Sequence, residues 1–143
     1  KHMLNPVQNS LKYKNEFANC TVQSIMEDSD GNFWIGTNDG LKLFNRETNK
    51  VTAAFINSAS NEKSICSNDI SALYEDYTGN IWIGTYGGGL DRYDKASGSF
   101  THFNENLRAG KFDIYSLTGD ERGNLWMSTN DGIIKFNPQK KLT

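Results

Sequence analysis

The chain has 143 residues, the length of one domain, with 17 acidic against 15 basic side chains and a net charge of −2. That balance supplies no basic field, so nucleic acid is not an expected partner. No apolar run approaches the roughly 18 residues a membrane helix needs and no secretory signal pattern is present, so this stretch is expected to make no membrane contact.

In chain order, Lys1-His2-Met3 reads as an expression scar (1–3), with the authentic chain starting at Leu4. The stretch is therefore expected to be a piece of a larger protein. Residues 4–19 hold either a linker or the outer strand of a preceding unit, with Ser10–Tyr13 or Tyr13–Phe17 as the candidate strand. From there the chain repeats itself. Gly31-Asn32-Phe33-Trp34-Ile35-Gly36-Thr37 recurs as Gly79-Asn80-Ile81-Trp82-Ile83-Gly84-Thr85 and as Gly123-Asn124-Leu125-Trp126-Met127-Ser128-Thr129. A period of about 45 residues is the mark of a repeat architecture.

Each copy is expected to hold the same strands. The first covers Val22–Glu27, Ile70–Glu75 or Ile114–Leu117. A tight turn follows, opened by Asp28, Asp76 or Asp120 and closed by Gly31, Gly79 or Gly123, where glycine takes the positive φ the turn needs. The tryptophan strand comes next. Asn38-Asp39-Gly40, Tyr86-Gly87-Gly88-Gly89 or Asn130-Asp131-Gly132 then makes a hairpin. The third strand is Leu41–Asn45, Leu90–Asp94 or Ile133–Asn137, and the fourth is Val51–Ile56 or Ser99–Phe103.

Phe33-Trp34-Ile35 is apolar at three successive positions, so both faces of that strand must be covered; a half-exposed sheet would alternate. Four antiparallel strands per repeat with doubly buried inner strands describe a β-propeller blade. The expected fold is all-β, with blade repeats at 20–56, 57–103 and 104–143, the last lacking its complete outer strand. Trp34, Trp82 and Trp126 are assigned to packing between blades, with Gly36, Gly84 and Ser128 small enough for close approach. The turn residues Asp28, Asp76, Asp120, Gly31, Gly79 and Gly123 are assigned structural roles.

Three blades do not make a ring, since propellers begin at about four blades. An isolated arc would expose two apolar faces. Two chains associating head to tail would close a six-bladed ring, the N-terminal strand of one completing the last blade of the other. A truncated fragment that associates adventitiously is the alternative.

The pattern Glu75-Asp76, two variable residues, Gly79-Asn80-Ile81-Trp82-Ile83-Gly84-Thr85, then Gly87-Gly88-Gly89-Leu90-Asp91-Arg92-Tyr93-Asp94, resembles the two-component regulator propeller repeat. The third copy departs at Met127-Ser128 and at Gly119-Asp120. The resemblance spans roughly 20–143 and implies the sensor region of a hybrid two-component regulator, located in the periplasm and signalling through the membrane to a kinase that lies elsewhere. It further implies an oligosaccharide ligand derived from glycans. A propeller that binds proteins on its rim is a second class. A propeller lyase or hydrolase is a third, and it would need convergent histidines or carboxylates in the central channel.

Residue chemistry supports binding rather than catalysis. The Asp28 turn offers oxygens at alternating positions, but the equivalent turns keep only Asp and Gly-Asn, and none has the helix–loop–helix glutamate. Cys20 and Cys66 lack metal-ligand spacing, and either a disulfide or two buried thiols fits them. His102 falls on an outer strand, and outer strands lie far from a propeller's central cavity. No nucleophile elbow or phosphate loop is present, so no catalytic, cofactor or metal residues are assigned. The candidate ligand-binding residues are Asn38, Asp39, Tyr86, Asn130 and Asp131. They fall on one rim, where an aromatic platform with amides and carboxylates suits a sugar and where Asn-Asp-Gly is also ordinary turn chemistry. The Asn57–Asp69 connection, longer than Asn104–Asp113, is expected on the face where outer strands cross to the next inner strand, as a binding insertion or a plain surface loop.

Overall fold

Short apolar segments punctuated by Gly-bearing turns become strands, and no helix occurs among the described residues. The structure, a computed structural model, describes residues 16–104 and 112–140. The first unit contains β1 (Val22–Glu27), β2 (Phe33–Thr37), β3 (Gly40–Asn45) and β4 (Lys50–Phe55). The second contains β5 (Ile70–Glu75), β6 (Ile81–Thr85), β7 (Gly89–Asp94) and β8 (Ser99–His102). The third contains β9 (Ile114–Gly119), β10 (Leu125–Thr129) and β11 (Gly132–Phe136). Each unit is one antiparallel sheet in sequence order, with four, four and three strands among the described residues.

Strand ends move by one or two residues from those expected. The third strands start at the hairpin glycine, because Gly40, Gly89 and Gly132 still pair with Thr37, Thr85 and Thr129. β9 runs on to Gly119, which pairs with Leu125. The expected strand at Ser10–Tyr13 lies outside the described residues, as do most of Tyr13–Phe17 and Leu142-Thr143, where the sequence allows only the beginning of a third outer strand. Glu16 and Phe17, the described part of that stretch, sit in a turn. They lie on the chain's own first sheet: Phe17 meets the Phe44 ring at 5.9 Å, and the Val51 N–H donates to the Glu16 carboxylate at 3.3 Å.

The sheets stack face to face as blades of a partial, unclosed propeller, and the core lies in the two gaps between them. In the first gap Trp34 stacks on Phe55 and meets Tyr93 edge-on at 5.0 Å, over Ile70, Ile81, Ile83 and Phe100. In the second, Trp82 lies against Phe103 and Phe136 over Ile114, Leu125 and Met127. A fully buried indole of this kind is worth about 3–5 kcal/mol against alanine. Close stacking needs the residue two after the tryptophan to lack a side chain. A Cβ on Gly36 would come within 2.7 Å of Ile70 Cγ2, and one on Gly84 within 2.7 Å of Ile114 Cγ2.

Polar bonds cross the first gap as well. Ser29 donates its backbone N–H and its hydroxyl to the two carboxylate oxygens of Glu75, at 2.9 and 2.8 Å. Gln23 donates to the Asp69 carboxylate and to the Ile70 carbonyl at 2.8 and 2.9 Å. Across the second gap the Ser71 hydroxyl donates to the Ile114 carbonyl.

The outermost faces remain open. On the first blade Ile25 is 64% exposed, and on the third Trp126 and Ile133 are 38% and 76% exposed.

Candidate functional site

Each blade turn is built on one aspartate. Asp28 accepts hydrogen bonds from the N–H groups of Asp30 and Asn32, from the Asn32 amide, and from the Trp34 indole at 2.8 Å. Asp76 and Asp120 do the same for Trp82 and Trp126, at 2.8 and 2.9 Å. Gly31, Gly79 and Gly123 close these turns at φ of 84°, 89° and 83°. Burial raises Asp28 and Asp76, but the hydrogen bonds outweigh it and hold both carboxyls below the ordinary carboxylate range. For Asp120 the Trp126 indole leads, with Asn124, and the direction is the same. The turn carboxylate thereby locks the tryptophan to the turn. Beyond the turn contacts expected of these aspartates, each holds the indole, a bond whose sequence signal is the constant spacing of Asp and Trp.

The rim candidates have separate hydrogen-bond partners. Asn38 is a clamp: its side-chain oxygen accepts the Thr21 N–H at 2.8 Å, while its own N–H donates to the Thr21 carbonyl at 3.1 Å. Asn130 forms the same pair with Asp113, at 3.0 and 3.3 Å. Both therefore tie the hairpin to the start of the inner strand. Asp39 and Asp131 occupy matching turn positions in the outer two blades and donate their N–H groups to Thr37 and Thr129.

The middle blade solves the same problem differently, which is why a tyrosine fits there. The Asp69 N–H donates to the Ser67 hydroxyl, which in turn donates to the Tyr86 carbonyl at 3.0 Å. With that job taken by serine, the Tyr86 side chain is free to lie 5.9 Å from the Tyr115 ring at 56°. Tyr115 is 49% exposed. It was not among the residues singled out from sequence, since only blade stacking brings β9 beside the Tyr86 hairpin. Asp69, whose carbonyl accepts the Tyr86 N–H, stands next to this pair and reaches Gln23 of the first blade.

His102 lies close to a thiol. It bonds Asp91, and Cys66 lies in the same cluster. The ring nitrogens are directed to oxygens rather than to the thiol: Nδ1 faces Asp91 and Nε2 is 2.8 Å from the Glu62 carbonyl. Burial and Asp91 push the Cys66 thiol up, which makes it a poor nucleophile. Cys20 and Cys66 are both free thiols.

Residues 16–39 and 64–87 match the family model described as two component regulator propeller. Among solved structures, the extracellular domain of a putative hybrid two component system from B. thetaiotaomicron is 24% identical, with a TM-score of 0.71 over 92% of this chain and 17% of that one. The extracellular domain of a putative one component system from the same organism is 23% identical, with a TM-score of 0.69 over 82% of this chain and 17% of that one. The WD40 β-propeller domain of Doa1 is 19% identical, with a TM-score of 0.65 over 86% and 38%. At these identities the likeness shows the fold alone, and the chain spans about a sixth of the length of the two extracellular domains. No curated protein matches the chain in sequence. Two segments of the chain, in its first two blades, are thus similar to the two component regulator propeller repeat, within a partial β-propeller.

Proposed function

We propose that this chain is a sensing and scaffolding part of a periplasmic sensor in a hybrid two-component system, without a reaction of its own. Its ligand class is a glycan-derived oligosaccharide, bound on the rim that carries Tyr86. The observation that carries this reading is the Tyr86–Tyr115 pair, an aromatic surface spanning two blades with Asp69 beside it. Sugar rings stack their C–H faces on such platforms while carboxylates and amides accept their hydroxyls. The family repeats and the extracellular setting of the similar domains support the sensor role. Oligosaccharides screened on an array and then titrated by calorimetry test the site. Tyr86→Ala and Tyr115→Ala should each weaken binding about tenfold, or ~1.4 kcal/mol, with unchanged folding. Undiminished binding by both variants would sink the rim.

The scaffold role includes self-association. At both internal gaps a Trp-bearing face covers the Ile-bearing face of the next blade. Trp126 and Ile133 at one end, with Ile25 at the other, are exposed surfaces of those two kinds. A head-to-tail homodimer joining them would hide both. Light scattering on a sizing column across a dilution series should give twice the 16.1 kDa chain mass; a monomer at every concentration rules the dimer out.

A further inference from the structure

Three side chains with metal-binding chemistry meet where the β4–β5 connection crosses the outer edge of the second blade. Cys66 comes from that connection, Asp91 from β7 and His102 from the end of β8. Their ligand atoms all lie within 4.8 Å of one another. No spacing in the sequence announces them, because the connection folds back onto β7 and β8 only in the tertiary structure.

The surroundings of these groups match those of metal ligands. A ligating histidine characteristically donates its second ring N–H to a carbonyl or carboxylate, which fixes the ring and its tautomer. His102 Nε2 stands 2.8 Å from the Glu62 carbonyl, leaving Nδ1 turned toward Asp91. A ligating carboxylate is itself hydrogen-bonded, and Asp91 Oδ2 accepts the Cys66 N–H at 2.8 Å while Oδ1 faces His102. The Thr85 hydroxyl, which donates to the Gly89 carbonyl at 3.0 Å, lies 3.7 Å from Cys66 Sγ. Asp91 is fully buried, and a negative charge there needs a cation beside it, a place the His102 ring fills when no metal is bound. An entry path exists through the His102 ring, whose side chain is 35% exposed.

We propose that Cys66, Asp91 and His102 form a binding site for a thiophilic divalent cation of the zinc type. One sulfur, one nitrogen and one carboxylate oxygen suit zinc, with the fourth position open to water at the exposed His102 edge. Binding replaces two protons, one from the Cys66 thiol and one from His102 Nδ1, and the metal accepts the electron pairs they leave. Its effect would be to pin the 57–69 connection to the outer strand. That connection also carries Ser67, which holds the Tyr86 hairpin, so the ion would set the geometry of the rim.

Cobalt(II) serves as the probe, titrated into the reduced, chelator-treated chain. A thiolate-to-cobalt charge-transfer band should appear in the near ultraviolet and saturate at one equivalent. It should persist in Cys20→Ser and vanish in Cys66→Ser and His102→Gln. Zinc should compete it away with release of two protons and should raise the melting temperature of the natural chain but not of Cys66→Ser. That last comparison needs only the near-isosteric variant, so it stands even where His102→Gln fails to fold. Absence of the band, or its loss in Cys20→Ser with retention in Cys66→Ser, overturns the site and leaves an imidazolium–carboxylate pair in its place.

Discussion

Trp82 and Trp126 occupy the same position in consecutive blades and donate the same hydrogen bond to the aspartate six residues earlier, at 2.8 and 2.9 Å. Trp82 is wholly buried, whereas Trp126 is 38% exposed, with the Lys135 ammonium 5.6 Å from its ring. Local sequence builds the bracket that holds the ring, but the neighbouring blade supplies its apolar environment. The residues around each ring follow that division. Gly84 is small because Ile114 of the next blade presses against it, whereas Ser128 keeps its hydroxyl and bonds Ser116 at 2.7 Å.

The largest test of this contrast is truncation of the two rings. Trp82→Ala should cost about 3–5 kcal/mol in urea denaturation, and Trp126→Ala on the order of 1–2 kcal/mol because much of its surface is already wet. Equal losses would mean that the Trp126 face is covered in solution. In the proposed dimer, Trp126→Ala should instead show its main effect as a shift toward monomer in light scattering.

Next comes the small residue. Gly84→Ser places a side chain where Ile114 stands and should cost about 1–3 kcal/mol, read as a lowered denaturation midpoint. Its mirror, Ser128→Gly, should cost only about 0.5–1 kcal/mol through backbone entropy and one lost hydrogen bond. If the two costs match, blade contact is not what selects glycine.

The turn aspartates sharpen the comparison through pH. Their folded carboxyls ionise at lower pH than those of the unfolded chain. The stability they contribute is therefore complete above the ordinary carboxylate value of about 4 and drains away as pH falls through the lower folded values. Melting temperature should be flat in this respect above that value and fall below it. Asp76→Asn should flatten the acid limb and lower stability at neutral pH by about 1–2 kcal/mol. An unchanged acid limb in Asp76→Asn would remove the carboxylate–indole bond from the account.

The smallest expected effects separate clamps from contacts on the rim. Asn38→Ala removes the acceptor for the Thr21 N–H and should lower stability by about 1 kcal/mol. Tyr86→Ala leaves the Ser67 bonds in place and should change stability less than it changes ligand affinity. A larger stability loss in Tyr86→Ala than in Asn38→Ala would assign the tyrosine to the fold.

By itself the sequence determined the blade. Asp28, Gly31 and Trp34 lie within seven consecutive residues, as do their two counterparts, so the turn, its positive-φ glycine and the bracketed indole are all closed by contacts that local spacing dictates. The three-residue apolar runs at Phe33, Ile81 and Leu125 likewise required cover on both sides of the strand, wherever it came from. Only the tertiary structure decided which tryptophan is sealed, that Tyr115 meets Tyr86, and that Cys66, Asp91 and His102 converge. Those pairings join residues on separate strands or connections, and they depend on how sheets stack and how one connection crosses an edge. Hydrogen bonding within a turn is encoded in neighbouring residues, whereas contact between blades emerges only when apolar faces are driven together.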